Sequence, residues 1–268
     1  MPLEDHALAG KGVRLTHGSD HALVALEGAQ VVAWRHRGRD MLWCAATRPA
    51  GKPPRGGIPV CWPWFGSHPD DPSQPSHGVA RLRTWTVVEQ GAAHVVMALT
   101  EGTLSARIEV ELSDDLRVSL TTVNNGTLPE PVSAALHTYL AVDDIADVRV
   151  TGLDGATYAD KLDGFARKVQ KGDVRFTGET DRIYATDGPV RMVEGSRHVE
   201  VDGAGTSHST VVWNPWVETS ARLGDMAPDD YRRMLCLETA WAGDDARVLA
   251  PGTAATLTTV LRPRTITP

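Results

Sequence analysis

Cysteine is scarce in this chain, and positive charge is outnumbered. Only Cys44, Cys61 and Cys236 occur among 268 residues. They are odd in number, far apart and free of any CxxC spacing. That speaks against a disulfide framework or a structural zinc site. Free thiols in a reducing compartment follow, hence a cytoplasmic protein. Lys and Arg number 27 against 34 Asp and Glu, for a net charge of −7. No overall basic field therefore recruits nucleic acid or an acidic membrane surface. An anionic ligand would need a local cluster of arginines. No apolar run reaches the length of about 18 residues that a membrane helix needs. The opening "MPLEDHALAGKG" lacks the basic-then-apolar order of a signal peptide. The patterns GxSxG, GxxxxGK[ST] and HExxH are all absent, which removes the nucleophile-elbow hydrolases, Walker-type phosphate loops and zincins. The ten histidines show no tight metal spacing.

Helical periodicity is also scarce. Only "VETSARLGD", Val217 to Asp225, reads as two helical turns. Period-two alternation dominates instead. "RIEVELS" sets Ile108, Val110 and Leu112 against Arg107, Glu109 and Glu111. "LRVSLTTV" repeats the pattern with Leu116, Val118 and Leu120, and "SDDLR" supplies the turn between the two. "HVVMALTE" and "ATLTTVLR" read as further strands, and "VSAALHTYLAV" as one more. Turn clusters recur about every 8–12 residues, the spacing of an all-β sandwich or barrel. No linker splits the chain, so residues 1–268 are expected to form one antiparallel domain.

Against that background, "RGGIPVCWPWFGSHPDDPSQPSHGVAR" follows neither period. It concentrates five prolines, two tryptophans and two histidines between Arg55 and Arg81. A guanidinium fork suits a phosphate or carboxylate, although most arginines pair with surface acids. His77 lies between Pro75, which stiffens the approach, and Gly78, which lets the backbone turn. In "VSAALHTYLAV", His137 and Tyr139 stand on a face otherwise made of Ser133, Ala135 and Ala141. Small neighbours leave room for a ligand. A histidine bonded only to backbone would give the same pattern. In "MLCLETAW", Glu238 shares a face with Met234, Cys236 and Ala240. A carboxylate among apolar neighbours is pushed towards the range useful for a general base, unless it is a structural ion pair. Trp62, Trp64, Trp213 and Trp216 fall in "CWPWFG" and "VVWNPW". Core packing accounts for most of them, while a sugar face is the functional alternative.

Taken in order, "RGGIPVCWPWFG", "HGVAR", "LHTYLAV", "GETDRIY", "VVWNPW" and "CLETA" resemble the D-hexose-6-phosphate mutarotases of the aldose 1-epimerase superfamily. The resemblance implies a β-supersandwich of galactose-mutarotase type with few short helices. It implies exchange of α and β anomers of a hexose 6-phosphate, without cofactor or metal. His137 matches the general acid, Glu238 the general base and His77 the second active-site histidine. Arg55 and Arg81 match arginines that contact the substrate and its phosphate. Asp181 matches an aspartate that binds sugar hydroxyls, and Ser76 occupies a substrate-contact position where some relatives carry Gln. Val79 departs from the aromatic residue frequent in the family. The expected partner is a small phosphosugar, with no nucleic acid or membrane, bound by a monomer. The alternatives are a neutral aldose 1-epimerase and a non-catalytic carbohydrate-binding β-sandwich.

Overall fold

The computed structural model describes residues 4–6 and 9–265. Antiparallel sheets make up most of it. A meander of five short strands opens the chain, from Glu4–His6 to Arg39–Asp40. A nine-stranded sheet contains Leu104–Leu112, Leu116–Asn124 and the long Ala254–Thr265 side by side. An eight-stranded sheet contains Thr180–Ala185, Ser209–Asn214 and Met234–Trp241 as neighbours. Trp216–Leu223 is the one α-helix among the described residues, closed by Gly224 in the left-handed conformation. This is the all-β, antiparallel architecture expected from the alternation.

Register follows from side-chain period. Ile108, Val110, Leu112, Leu116, Val118 and Leu120 all enter the main core, while Arg107 and Glu111 face solvent. A one-residue slip would reverse every one of these, so the apolar face fixes the pairing. The two large sheets pack face to face through this core. Two buried hydrogen bonds tie core groups together, Thr239 Oγ1 to Thr259 Oγ1 at 2.9 Å and Trp62 Nε1 to Thr122 Oγ1 at 2.9 Å.

All eight residues of Met234–Trp241 are buried. Leu235, Leu237 and Trp241 point into the main core. Met234, Cys236, Glu238 and Ala240 point the other way, against side chains from the Arg55–Arg81 stretch and neighbouring strands. This strand therefore separates the core from the cavity, and Glu238 stands on the cavity side.

One expected strand is corrected. "VSAALHTYLAV" is not continuous but forms Glu130–Val132, Ala134–Leu136 and Tyr139–Ala141. The break falls at His137–Thr138, where the Thr138 N–H turns back to donate to the Leu136 carbonyl at 2.9 Å, while the His137 N–H donates to the Pro59 carbonyl at 3.0 Å in register with the Val60–Cys61 pairing. The alternation of faces survives the break. Leu136, Thr138 and Leu140 are buried on one side, with His137 and Tyr139 on the other. The register on Met234–Trp241 is the same on both sides of the break, which sets His137 directly across from Glu238.

Candidate active site

Three rows of side chains cross the cavity face of the eight-stranded sheet. Asp181, Trp213, Cys236 and Tyr139 are register partners in the first. Ile183, Val211 and Glu238 form the second. Ala185, Ser209, Ala240, Ala135 and Cys61 form the third. The last row is small throughout, which leaves space above the sheet where bulkier residues would fill it.

Over this face lies a cavity of about 380 Å³, within the size range of small-molecule sites. Arg55, Ser76, His77, Arg81, His137, Asp181 and Glu238 all line it. These seven come from segments spread over most of the sequence. His137 Nε2 lies 3.3 Å from Glu238 Oε1. Glu238 is 1 % exposed, and its Oε2 and His137 Nδ1 are buried without a hydrogen-bond partner. Tyr139 stacks on the His137 ring at 4.8 Å and 12°, while Trp213 and His77 approach edge-on at 6.0 and 5.7 Å. The imidazole is thus held on three sides by aromatic rings.

Burial pushes the Glu238 carboxyl well above its ordinary range; the Lys161 charge pulls it back and the Asp181 charge adds to the rise. Burial also drives the His137 imidazole well below its ordinary value, helped by His77 and by the charges of Arg81 and Arg55. Both shifts act in the same sense, each favouring the uncharged form of its group in the free protein. His77 is lowered to about 3, by burial first and then by Arg81, Lys161 and Arg55. The Gly66 N–H donates to its Nδ1 at 3.3 Å, so its proton sits on Nε2. His77 is a neutral hydrogen-bond donor at every physiological pH.

The loop around His77 is built for close approach. His77 has φ 63° and Gly78 has φ 73°. A Cβ on Gly78 would fall 2.1 Å from the Trp62 carbonyl oxygen, inside contact distance. Gly78→Ala is expected to lower unfolding stability by about 1–3 kcal/mol, read as a fall in the urea midpoint.

The arginines differ in their commitments. Arg55 Nε donates to the buried Asp225 Oδ1 at 2.6 Å and its Nη1 to Tyr139 Oη at 3.2 Å. Gln30, 1 % exposed, holds the Pro54 and Gly56 carbonyls on either side of it. Arg81 donates to the Ser76 carbonyl at 2.7 Å, its Nε is buried and unpartnered, and no carboxylate among the described residues pairs with it. Arg81 is the uncommitted cation. Ser76 is exposed at the rim, its hydroxyl 3.3 Å from the Gly66 carbonyl. Asp181 Oδ2 meets Lys161 Nζ at 2.6 Å, and its Oδ1 is buried without a partner.

Sequence reasoning missed Lys161 and Asp225. Lys161 follows a short strand in "YADKLDG", where nothing marks it from other surface lysines. Asp225 lies 170 positions from its partner Arg55. Of the four tryptophans, Trp213 lines the cavity, Trp62 is core, Trp64 bonds the Pro75 carbonyl and Trp216 packs on Tyr231. Ligand atoms of His137, Cys236 and Glu238 lie within 4.8 Å of one another, a grouping with metal-ligand composition. Burial, followed by the Glu238 charge, keeps the Cys236 thiol protonated, and three basic side chains face the same cavity. The arrangement suits proton transfer better than cation binding.

Known proteins share this arrangement of strands. A mutarotase structure from Salmonella typhimurium, its name provisional, superposes with a TM-score of 0.85 over 98 % of this chain and 97 % of its own, at 24 % identity. An Escherichia coli (strain K12) protein provisionally named glucose-6-phosphate 1-epimerase is 31 % identical over 253 residues, covering 87 % of this chain and 83 % of its own. A Cenchrus ciliaris protein with the same provisional name is 30 % identical over 260 residues, covering 86 % and 78 %. The family pattern described as Aldose 1-epimerase matches residues 11–262. That span takes in every strand that builds the cavity, and the chain belongs to the aldose 1-epimerase family.

Proposed function

We propose that this chain interconverts the α and β anomers of a hexose 6-phosphate, glucose 6-phosphate foremost. The observation that carries the reading is the His137–Glu238 pair, 3.3 Å apart, in a cavity that also presents the uncommitted Arg81. Mutarotation needs a proton removed from the C1 hydroxyl and another delivered to the ring oxygen. Glu238 as carboxylate takes the first and His137 as imidazolium gives the second. The C1–O5 bond breaks, the aldehyde forms, and rotation about C1–C2 presents its other face. The two groups then exchange roles and close the ring. His77 Nε2–H donates to a sugar oxygen, and Asp181 Oδ1 accepts from a hydroxyl. Arg81 grips the phosphate with the remaining Arg55 amino group beside it, fixing the ring for chemistry elsewhere.

Exchange of glucose 6-phosphate anomers at equilibrium, followed by NMR magnetisation transfer, tests this. Acceleration by the protein, stronger than for glucose, is the expected result. Equal acceleration of both sugars would favour a neutral aldose 1-epimerase. Sugar binding without acceleration would favour a non-catalytic carbohydrate-binding protein.

The pH dependence has a definite sign. The working pair carries one proton and titrates as a unit. Adding a second proton removes the base, and the lowered His137 places that acid limb below the ordinary imidazole range. Losing the only proton removes the acid, and the raised Glu238 places the alkaline limb above the ordinary carboxyl range. The profile of kcat/KM against pH is therefore expected to be a bell with a broad top. A monotonic profile would contradict the pairing.

A further inference from the structure

Two carboxylates share the cavity. Asp181 stands two strands from Glu238 on the same sheet face, and each carries a buried oxygen without a hydrogen-bond partner. Like charges in a water-poor site resist joint ionisation, and such pairs tend to hold a proton between them. A trapped proton would keep the base out of action. The groups that face Glu238 are His137 and Tyr139 from the interrupted strand, Asp181 from Thr180–Ala185, Cys236 from its own strand, Cys61 from Val60–Cys61, and Lys161. Arg55 and Arg81 line the same cavity. Asp225 pairs with Arg55, and the charges of Arg55 and Arg81 act on the histidines, as that of Lys161 does on His77.

Lys161 is placed differently. It opens the 3-10 turn Lys161–Asp163, whose first turn is capped by the Asp160 side chain accepting from the Leu162 N–H. Its Nζ lies 2.6 Å from Asp181 Oδ2 and 5.9 Å from the centre of the Phe65 ring. Its side chain is 27 % exposed, and it stands where the 380 Å³ cavity adjoins a second one of about 880 Å³. Phe65 and Lys161 line both. A purely structural ion pair would have no need to point into a cavity against a base.

We infer that Lys161 is a positioning residue of this site, the counter-charge that lets Asp181 and Glu238 carry negative charge together and so holds the base ready. The inference rests on the acid–base reading of Glu238 given above. It assigns Lys161 no contact with the reacting atoms. Its positive charge acts through Asp181, which it neutralises, and across the cavity on Glu238 itself, in the direction that favours the carboxylate. Without it, Glu238 would hold its proton more tightly and the ionised-base form of the pair would be rarer.

The test uses the full chain with Lys161→Met, Lys161→Arg, Asp181→Asn and the double variant Lys161→Met/Asp181→Asn. Two readouts are taken: the Glu238 carboxyl titration by ¹³C NMR, and the pH profile of glucose 6-phosphate anomer exchange. Lys161→Met should move the Glu238 titration and the alkaline limb upward by about one pH unit, and lower exchange at pH 7 about tenfold. Lys161→Arg should retain the wild-type positions. The double variant should return the titration towards wild type, because the second negative charge is gone, even though a sugar contact is lost. Asp181→Asn alone should lower the Glu238 titration, and this arm serves if Lys161→Met does not fold. An unmoved titration in Lys161→Met, or a shift that persists in the double variant, overturns the inference. Absence of any anomer exchange by the wild-type protein would remove the mutarotase reading instead, and the NMR titration would still decide the role of Lys161.

Discussion

Glu238→Gln is expected to reduce catalysed exchange of glucose 6-phosphate anomers by about 10²–10⁴, the range for loss of one general acid–base group. The amide keeps size and shape in a position that is 1 % exposed, so the cavity survives while the proton acceptor is lost. The same change should leave the protein as stable as before or more so. A carboxyl held in this cavity with one oxygen unpartnered is a cost to the fold, and removing it relieves that cost. Loss of exchange with an unchanged or raised Tm is the signature of a group kept for chemistry. Loss of exchange with a large fall in Tm would point to a structural role. His137→Asn should behave alike, and the double variant should be little worse than either single one, because the two groups act as one unit. Retained exchange in Glu238→Gln would place the base elsewhere.

The strands were legible because their alternation is a local property. Ile108, Val110 and Leu112 declare their face within seven residues, and tertiary packing agrees with them. The strand through His137 is broken where alternation alone predicts continuity, because the Thr138 N–H turns back to the Leu136 carbonyl, and this turn leaves the alternation of faces intact and so gives no sign in it. The same distinction runs through the site. His137 and Glu238 could be picked out by being polar on faces otherwise small or apolar. Their closeness could not, since it depends on which strands pair across the sheet. Arg55 and Arg81 bracket an irregular stretch, but nothing local says that Asp225 occupies one and leaves the other open. Partnerships between distant residues decided which charges were available, and those are set by the fold alone.

Arg81→Ala should separate the phosphosugar from the neutral sugar more sharply than any other substitution. A charge-assisted contact contributes about 1.5–3 kcal/mol, so kcat/KM for glucose 6-phosphate should fall by about 10- to 150-fold. Glucose has no phosphate to lose. Arg81 also holds the His137 imidazole down, alongside burial and His77. A bound phosphate dianion offsets that positive charge. It would move the shared proton from Glu238 towards His137, into the form that carries out ring opening. The phosphate would then raise kcat as well as affinity, and the acid limb of the kcat profile should lie at higher pH for glucose 6-phosphate than for glucose. Arg81→Ala removes the depressing charge permanently. Its kcat for glucose should stay level or rise while its kcat/KM for the phosphosugar collapses. Asp225→Ala would be a poorer probe of the same idea, because it leaves Arg55 without its buried counter-ion. Parallel losses for both sugars in Arg81→Ala would mean that Arg81 shapes the cavity, and the origin of phosphate preference would have to be sought at Arg55 and Lys161 instead.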